Sequence, residues 1–174
     1  MFQNAKGLTI IELLVVLSVI AILVTIGVPA MAGLVAESRI TAKSNLLMSH
    51  VQYARHSAII LRTQVVACPS LDQLHCSGDN RWDRGWIVFI DRNNNGRPDD
   101  AGDVLRVIAP EPQLLMHSAG RTRVRFQPSG SAFGTNLTIR VCDPSGRAKP
   151  RAVIVSNPGR ARVSSDVPAA DCLI

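Results

Sequence analysis

The segment Lys6-Gly7-Leu8-Thr9-Ile10-Ile11-Glu12-Leu13-Leu14-Val15-Val16-Leu17, running on without a break to Val28, sets the architecture of this 174-residue chain. Of the 21 residues from Leu8 to Val28, sixteen are apolar and Glu12 alone is charged. At 1.5 Å per residue such a helix is roughly 31 Å long, which matches a bilayer core of about 30 Å. A secretory signal peptide is the competing interpretation, supported by Lys6 before the run and the small-x-small triplet Ala30-Met31-Ala32 after it. Signal cores are only about 7 to 15 residues long, and this one would carry a carboxylate near its start, so the run reads as a membrane helix. Glu12 is then an anomaly. A carboxylate at bilayer depth costs on the order of 2.5 to 3.5 kcal/mol unless a cation meets it, and the helix supplies none.

The rest of the composition narrows the function classes. The chain is 47% hydrophobic and 18% charged, which excludes a disordered tail, and its 4% aromatic content argues against a reader that stacks bases on rings. Nineteen Lys and Arg against thirteen Asp and Glu leave a net +6. A pI near 9.8 beside a positive mean hydropathy of +0.17 means that oil and charge occupy different segments.

The residues from Lys6 to Leu13 closely resemble the processing site of type IV pilins and type II secretion pseudopilins. The resemblance implies that a prepilin peptidase cuts between Gly7 and Leu8 and that Leu8 becomes the N-methylated first residue, with Glu12 fifth. Leu at the first mature position departs from the more usual Phe. A methylated amine stays cationic. The resemblance therefore supplies the missing partner, since Glu12 of one subunit would meet the terminal ammonium of its neighbour during assembly with other major and minor pilins. It also implies a single-pass protein of the bacterial inner membrane, its head in the periplasm, that later joins a fibre at the cell surface.

Gly27 and Pro29 weaken helical hydrogen bonding where the helix leaves the bilayer but need not end it. Ile40, Leu47, Val51, Ala54, Ala58 and Leu61 recur at helical spacing, while Arg39, Lys43, His50, Arg55 and Arg62 fall largely elsewhere. β-Branched runs at 64–68, 86–91, 104–109, 124–127, 137–142 and 152–156, punctuated by Gly and Pro, predict strands. The expected organisation is a leader at 1–7, a transmembrane helix at 8–28, an amphipathic helix at 29–62 and a β-rich head at 63–174. One long helix followed by antiparallel strands is an α+β fold, and pilins resemble this closely. Within that superfamily, Trp82-x-x-Gly85-Trp86-Ile87-Val88-Phe89, Asp91-Arg92-Asn93-Asn94-Asn95-Gly96 and Asp103-Val104-Leu105 resemble the GspH/FimT branch of minor pilins.

Cys68, Cys76, Cys142 and Cys172 would lie on the oxidising side of the membrane, where three pairings are possible. Spacing favours Cys68 with Cys76 and Cys142 with Cys172. No close Cys-x-x-Cys pair, H-E-x-x-H or G-x-S-x-G pattern occurs, so neither an enzyme nor a metal or cofactor site is expected. Asp91, Asn93, Asn95, Gly96 and Asp99 fall on positions one, three, five, six and nine of a calcium loop, but position twelve is Gly102. Without that bidentate carboxylate, a hairpin connection is the favoured reading, because Asn and Gly supply positive φ. The two Trp residues are expected to fill the core or cover this hairpin.

The positive charge is C-terminal. From Asp72 to Glu111 eight acidic and five basic residues balance to −3, whereas from Arg121 to Arg162 nine basic residues face only Asp143, giving +8. Such a surface attracts a polyanion, and double-stranded DNA is the plainest partner. Arg121, Arg123 and Arg125 would share one face of a strand. Arg160 and Arg162 follow the turn-forming Pro158-Gly159, and a Cys142 to Cys172 bridge would close a loop that also holds Arg147, Lys149 and Arg151. In FimT-like proteins a C-terminal Gly-Arg-x-Arg element, here Gly159, Arg160 and Arg162, is associated with DNA binding in natural transformation. The alternative is a structural minor pilin, or a type II secretion pseudopilin, that primes or caps the fibre without touching DNA.

Overall fold

Thr9 opens the only α-helix among the described residues. Its hydroxyl oxygen accepts the Glu12 N–H at 3.3 Å, so Thr9-x-x-Glu12 forms the start of a capping box and Glu12 sits in the first turn, where the helix dipole favours an anion. The computed structural model describes residues 9–172; the cleavage pair Gly7 and Leu8 lies outside them. Helix α1, Ile10–Leu61, is unbroken for 52 residues and roughly 78 Å, with Pro29 inside it. It ends at Arg62, which takes the left-handed conformation (φ +51°).

Two halves of α1 face different surroundings. The first half is apolar and long enough to cross a membrane and is not covered by the head. Burial begins at Ala36 and continues through Ile40, Ser44, Leu47, Val51, Ala54, Ser57 and Ala58, which repeat every three or four residues and so make one stripe. Leu61, expected on that stripe, is the last helical residue and is 48% exposed.

Among the described residues, the head contains eight strands in two antiparallel sheets. β1 (Gln64–Pro69), β2 (Trp86–Asp91), β3 (Val104–Ile108) and β5 (Val124–Phe126) form one, in the order β3-β2-β1-β5. β4 (Leu115–Ser118), β6 (Leu137–Cys142), β7 (Arg151–Val155) and β8 (Ala161–Ser164) form the other, ordered β4-β6-β7-β8. Six of these follow the β-branched runs. β4 and β8, Leu-Met-His-Ser and Ala-Arg-Val-Ser, are sheet edges with little intrinsic strand preference, so pairing to β6 and β7 makes them strands.

The core lies where α1 meets both sheets. Ile40, Leu47 and Val51 pack with Val65, Val88, Phe126, Ile139, Val153 and both Trp residues. Trp82 and Trp86 are fully enclosed, and the Trp82 indole N–H donates to Ser118 Oγ at 3.1 Å, satisfying its one polar atom. The other face of the first sheet buries Val66, Cys68, Ile87 and Phe89 beneath Cys76 and Val104. Both disulfides favoured by spacing form, Cys68 with Cys76 and Cys142 with Cys172, at Cα separations of 5.6 and 5.9 Å.

Candidate nucleic-acid interface

Among the described residues β8 pairs only with β7, placing Arg162 opposite Ile154 and Ala161 opposite Val155. Its side chains alternate: Ala161 and Val163 pack on the core, so Arg160, Arg162 and Ser164 take the other face. Arg160 and Arg162 are exposed and make no ion pair among the described residues. Both guanidinium groups keep their full hydrogen-bonding capacity for an external anion.

The turn before them is built tightly. The Gly159 N–H donates to the Ser156 carbonyl at 2.8 Å, and the Ser156 N–H to the Arg160 carbonyl at 3.0 Å. Gly159 has φ +79°, and a Cβ on it would overlap the carbonyl oxygen of Gly130. A second turn, Gln127 to Gly130, thus lies directly against the first. Arg55 of α1 ties the pair together, its Nε donating to the Gly130 carbonyl at 3.0 Å, while the Ala132 N–H donates to the Asn157 carbonyl at 2.9 Å. Arg55 and Gly130 carry no sequence signal for this role, since they approach Gly159 only in the folded chain.

Arg121, Arg123 and Arg125 line one groove of about 350 Å³ with Gly120, Thr122, Gly134 and Thr135. A common strand face does not gather them: β5 starts only at Val124, so Arg121 and Arg123 precede it. Local bonds do so instead. The Arg121 guanidinium donates to the Gly134 carbonyl, and the Arg125 N–H donates to Thr135 Oγ1 at 3.0 Å. The loop from Gly130 to Thr135 therefore adjoins both this groove and the Gly159 turn. It also presents Phe133, 73% exposed, which composition alone did not mark out.

The remaining basic residues lie elsewhere. Arg147, Lys149 and Arg151 sit at the Val141/Arg151 end of the β6–β7 pair, whereas the Gly159 turn extends from its Leu137/Val155 end. Arg151 pairs with Glu37 at 3.3 Å, and the Lys149 backbone N–H donates to the same carboxylate at 3.3 Å. Glu37 precedes Arg55 by 18 residues, about 27 Å along the helix. The expected single loop of five basic residues is thus split into two groups, and Arg151 is engaged by the helix. Asp143 organises the loop joining β6 to β7, the lower loop: burial pushes its carboxyl up, but hydrogen bonds from the Ser145 hydroxyl and the N–H groups of Ser145, Arg147 and Ala148 outweigh this and hold it below the usual carboxylate range.

The C-terminal segment crosses the outer face of the second sheet. Arg140 donates from Nε to Asp171 at 3.0 Å beside the Cys142 to Cys172 bridge. His117, directly opposite Arg140 in register, is buried; burial first and the Arg140 charge second lower its pKa below the ordinary 6.5.

Residues 43–159 match the family model described as Type II transport protein GspH, and residues 2–28 match the prokaryotic N-terminal methylation motif. No curated protein matches the sequence. Among solved structures, the chain is similar to the type IV minor pilin FimU of Pseudomonas aeruginosa, with 18% identity and a TM-score of 0.59 over 76% of this chain and 94% of FimU. It is also similar to the minor pseudopilin EpsH of the Vibrio cholerae type 2 secretion system, with 10% identity and a TM-score of 0.52 over 71% of this chain and 94% of EpsH. These likenesses establish the fold: a long helix packed on antiparallel sheets.

Proposed function

The chain belongs to the GspH family of type II transport proteins, and we propose that it is a non-enzymatic minor pilin that binds extracellular double-stranded DNA and aids its uptake in natural transformation. Prepilin peptidase would cut between Gly7 and Leu8, and Leu8 would be N-methylated. The apolar part of α1 would hold the subunit in the inner membrane with its head in the periplasm, and Glu12 would then pair with a neighbour's terminal ammonium in the fibre. Both charges are desolvated there, so an unpaired register is penalised.

One observation carries the DNA reading: the Gly159 turn positions Arg162 on the edge strand β8 and Arg160 just before it, two exposed arginines with no ion pair among the described residues, beside Arg55 near the C-terminus of α1. The groove of Arg121, Arg123 and Arg125 adds three more positive charges beside the same loop. Arg147 and Lys149, in the lower loop, would extend the positive field without sharing that contact surface. Contacts would go to phosphates, with little sequence preference. Neutralising about four phosphates gives a slope of log K against log salt near −3.6. In gel-shift titrations of the full-length protein in detergent, Arg160→Ala with Arg162→Ala should remove most affinity and bring the slope to about −1.8. Wild-type affinity in that double variant would place the interface elsewhere.

The family description and the likeness to EpsH support a second reading, a pseudopilin that primes or caps a secretion fibre. That reading requires no salt-dependent DNA shift by the wild-type protein.

A further inference from the structure

We propose that the loop joining β2 to β3 is a calcium site whose first ligand is Asp91. Asp91 is fully buried, and one of its carboxylate oxygens, Oδ1, has no hydrogen-bond partner among the described residues. The other, Oδ2, accepts from Gln64 Nε2 at 2.7 Å and from the Gly96 N–H at 3.0 Å. No cationic side chain pairs with it among the described residues. A buried carboxylate with a free oxygen and no countercharge is costly, and a bound cation removes that cost. The Gly96 bond joins the carboxylate to the loop, and within that loop the side-chain amides of Asn93 and Asn95 donate to Asp99 at 2.9 to 3.1 Å.

The absent carboxylate at the twelfth loop position is what favoured a plain turn. The fold supplies one from the thirteenth. A 3-10 turn, Ala101–Asp103, brings Asp103 back so that its Oδ2 accepts the Asp99 N–H at 3.3 Å, and its side chain is 2% exposed. Arg92, mostly exposed, now pairs with the other Asp103 oxygen and would compete with a metal there.

The donor set selects the ion. Among the described residues no three His, Cys, Asp or Glu side chains converge to hold a metal by themselves, so Asn carbonyls and backbone carbonyls must complete the shell. Oxygen-only, mixed carboxylate and amide coordination suits calcium and not zinc, and few charged ligands place the affinity in the range of about 0.1 to 1 mM. The site thus departs from the expectation of no metal.

Thermal unfolding and calorimetric titration of the full-length protein in detergent test this. Calcium at about 10 mM should raise the Tm by about 5 °C, and magnesium by less. Asp91→Asn should abolish the calcium response while its calcium-free Tm equals or exceeds wild type, because the buried charge is gone. Asp99→Asn changes an exposed side chain that accepts only from Asn93 and Asn95 of the same loop, and should weaken calcium binding about tenfold while the protein still melts cooperatively. An unaltered wild-type Tm with no binding heat overturns the site, as does a wild-type calcium response in either variant.

Discussion

The β6–β7–β8 region carries two basic segments of similar charge and opposite fate. At one end, Arg160 and Arg162 follow a glycine turn and make no ion pair among the described residues; at the other, Arg151 and the backbone of Lys149 are held by Glu37 of the helix. Counting charge along the chain cannot separate them, because both lie inside the same disulfide-closed stretch. The difference teaches that a binding surface needs guanidinium groups that are positioned without being held in an internal ion pair.

The largest expected effect falls on the positioning of the upper segment. Gly159→Ala puts an L side chain at φ +79°, costing about 1 to 2 kcal/mol, and also drives a methyl group into the Gly130 carbonyl. A loss of about 3 kcal/mol in denaturant unfolding is expected, together with loss of DNA affinity, although no charge has been removed. Wild-type stability in this variant would show that the two turns need not touch.

Cys172→Ser should cost about 2 to 3 kcal/mol of stability by freeing the C-terminal segment, yet change DNA affinity less than twofold. The bridge holds that segment to β6, while the Gly159 turn is held by Gly130 and Arg55. A parallel fall in affinity would mean that the bridge itself presents the arginines, as the sequence suggests.

Glu37→Gln should lower stability by about 0.5 to 1 kcal/mol, since the Arg151 pair is partly exposed, and should not raise DNA affinity. Arg147→Ala with Lys149→Ala should likewise leave affinity within about twofold at physiological salt and flatten the salt slope only slightly. An effect equal to that of the Arg160 and Arg162 double variant would merge the two segments into one site.

The smallest effect concerns pH. Burial lowers the pKa of His117, and of His50, below the ordinary 6.5. The unfolded chain therefore takes up protons first as pH falls, so stability is full above about pH 6.5 and declines below it until the folded groups also protonate. Melting curves should shift downward between pH 7 and 5, and His117→Gln should remove only its share, leaving that of His50.

Much of the fold is legible before folding. The Leu8 to Val28 run, the stripe from Ile40 to Ala58, six β-branched strands and both cysteine pairings can be read because each depends on residues close in sequence or on simple spacing. β4 and β8 are not legible, since an edge strand borrows its conformation from its neighbour. Of the candidate interface, Gly159, Arg160 and Arg162 stand out by local pattern. Arg55, Gly130 and Phe133 do not, because what marks them is proximity or exposure across long stretches of chain.

Sequence alone determined the membrane-length helix with its single carboxylate, the family to which the chain belongs and the C-terminal location of its positive charge. These follow from hydropathy, short-range motifs and composition, which act residue by residue. Tertiary structure decided which arginines have no ion pair among the described residues, which carboxylate is buried without a cation beside it there, and why a side chain at Gly159 would meet Gly130. Those properties depend on what a side chain meets across the fold: Glu37 beside Arg151, Gly130 against Gly159, and the loop that closes over Asp91.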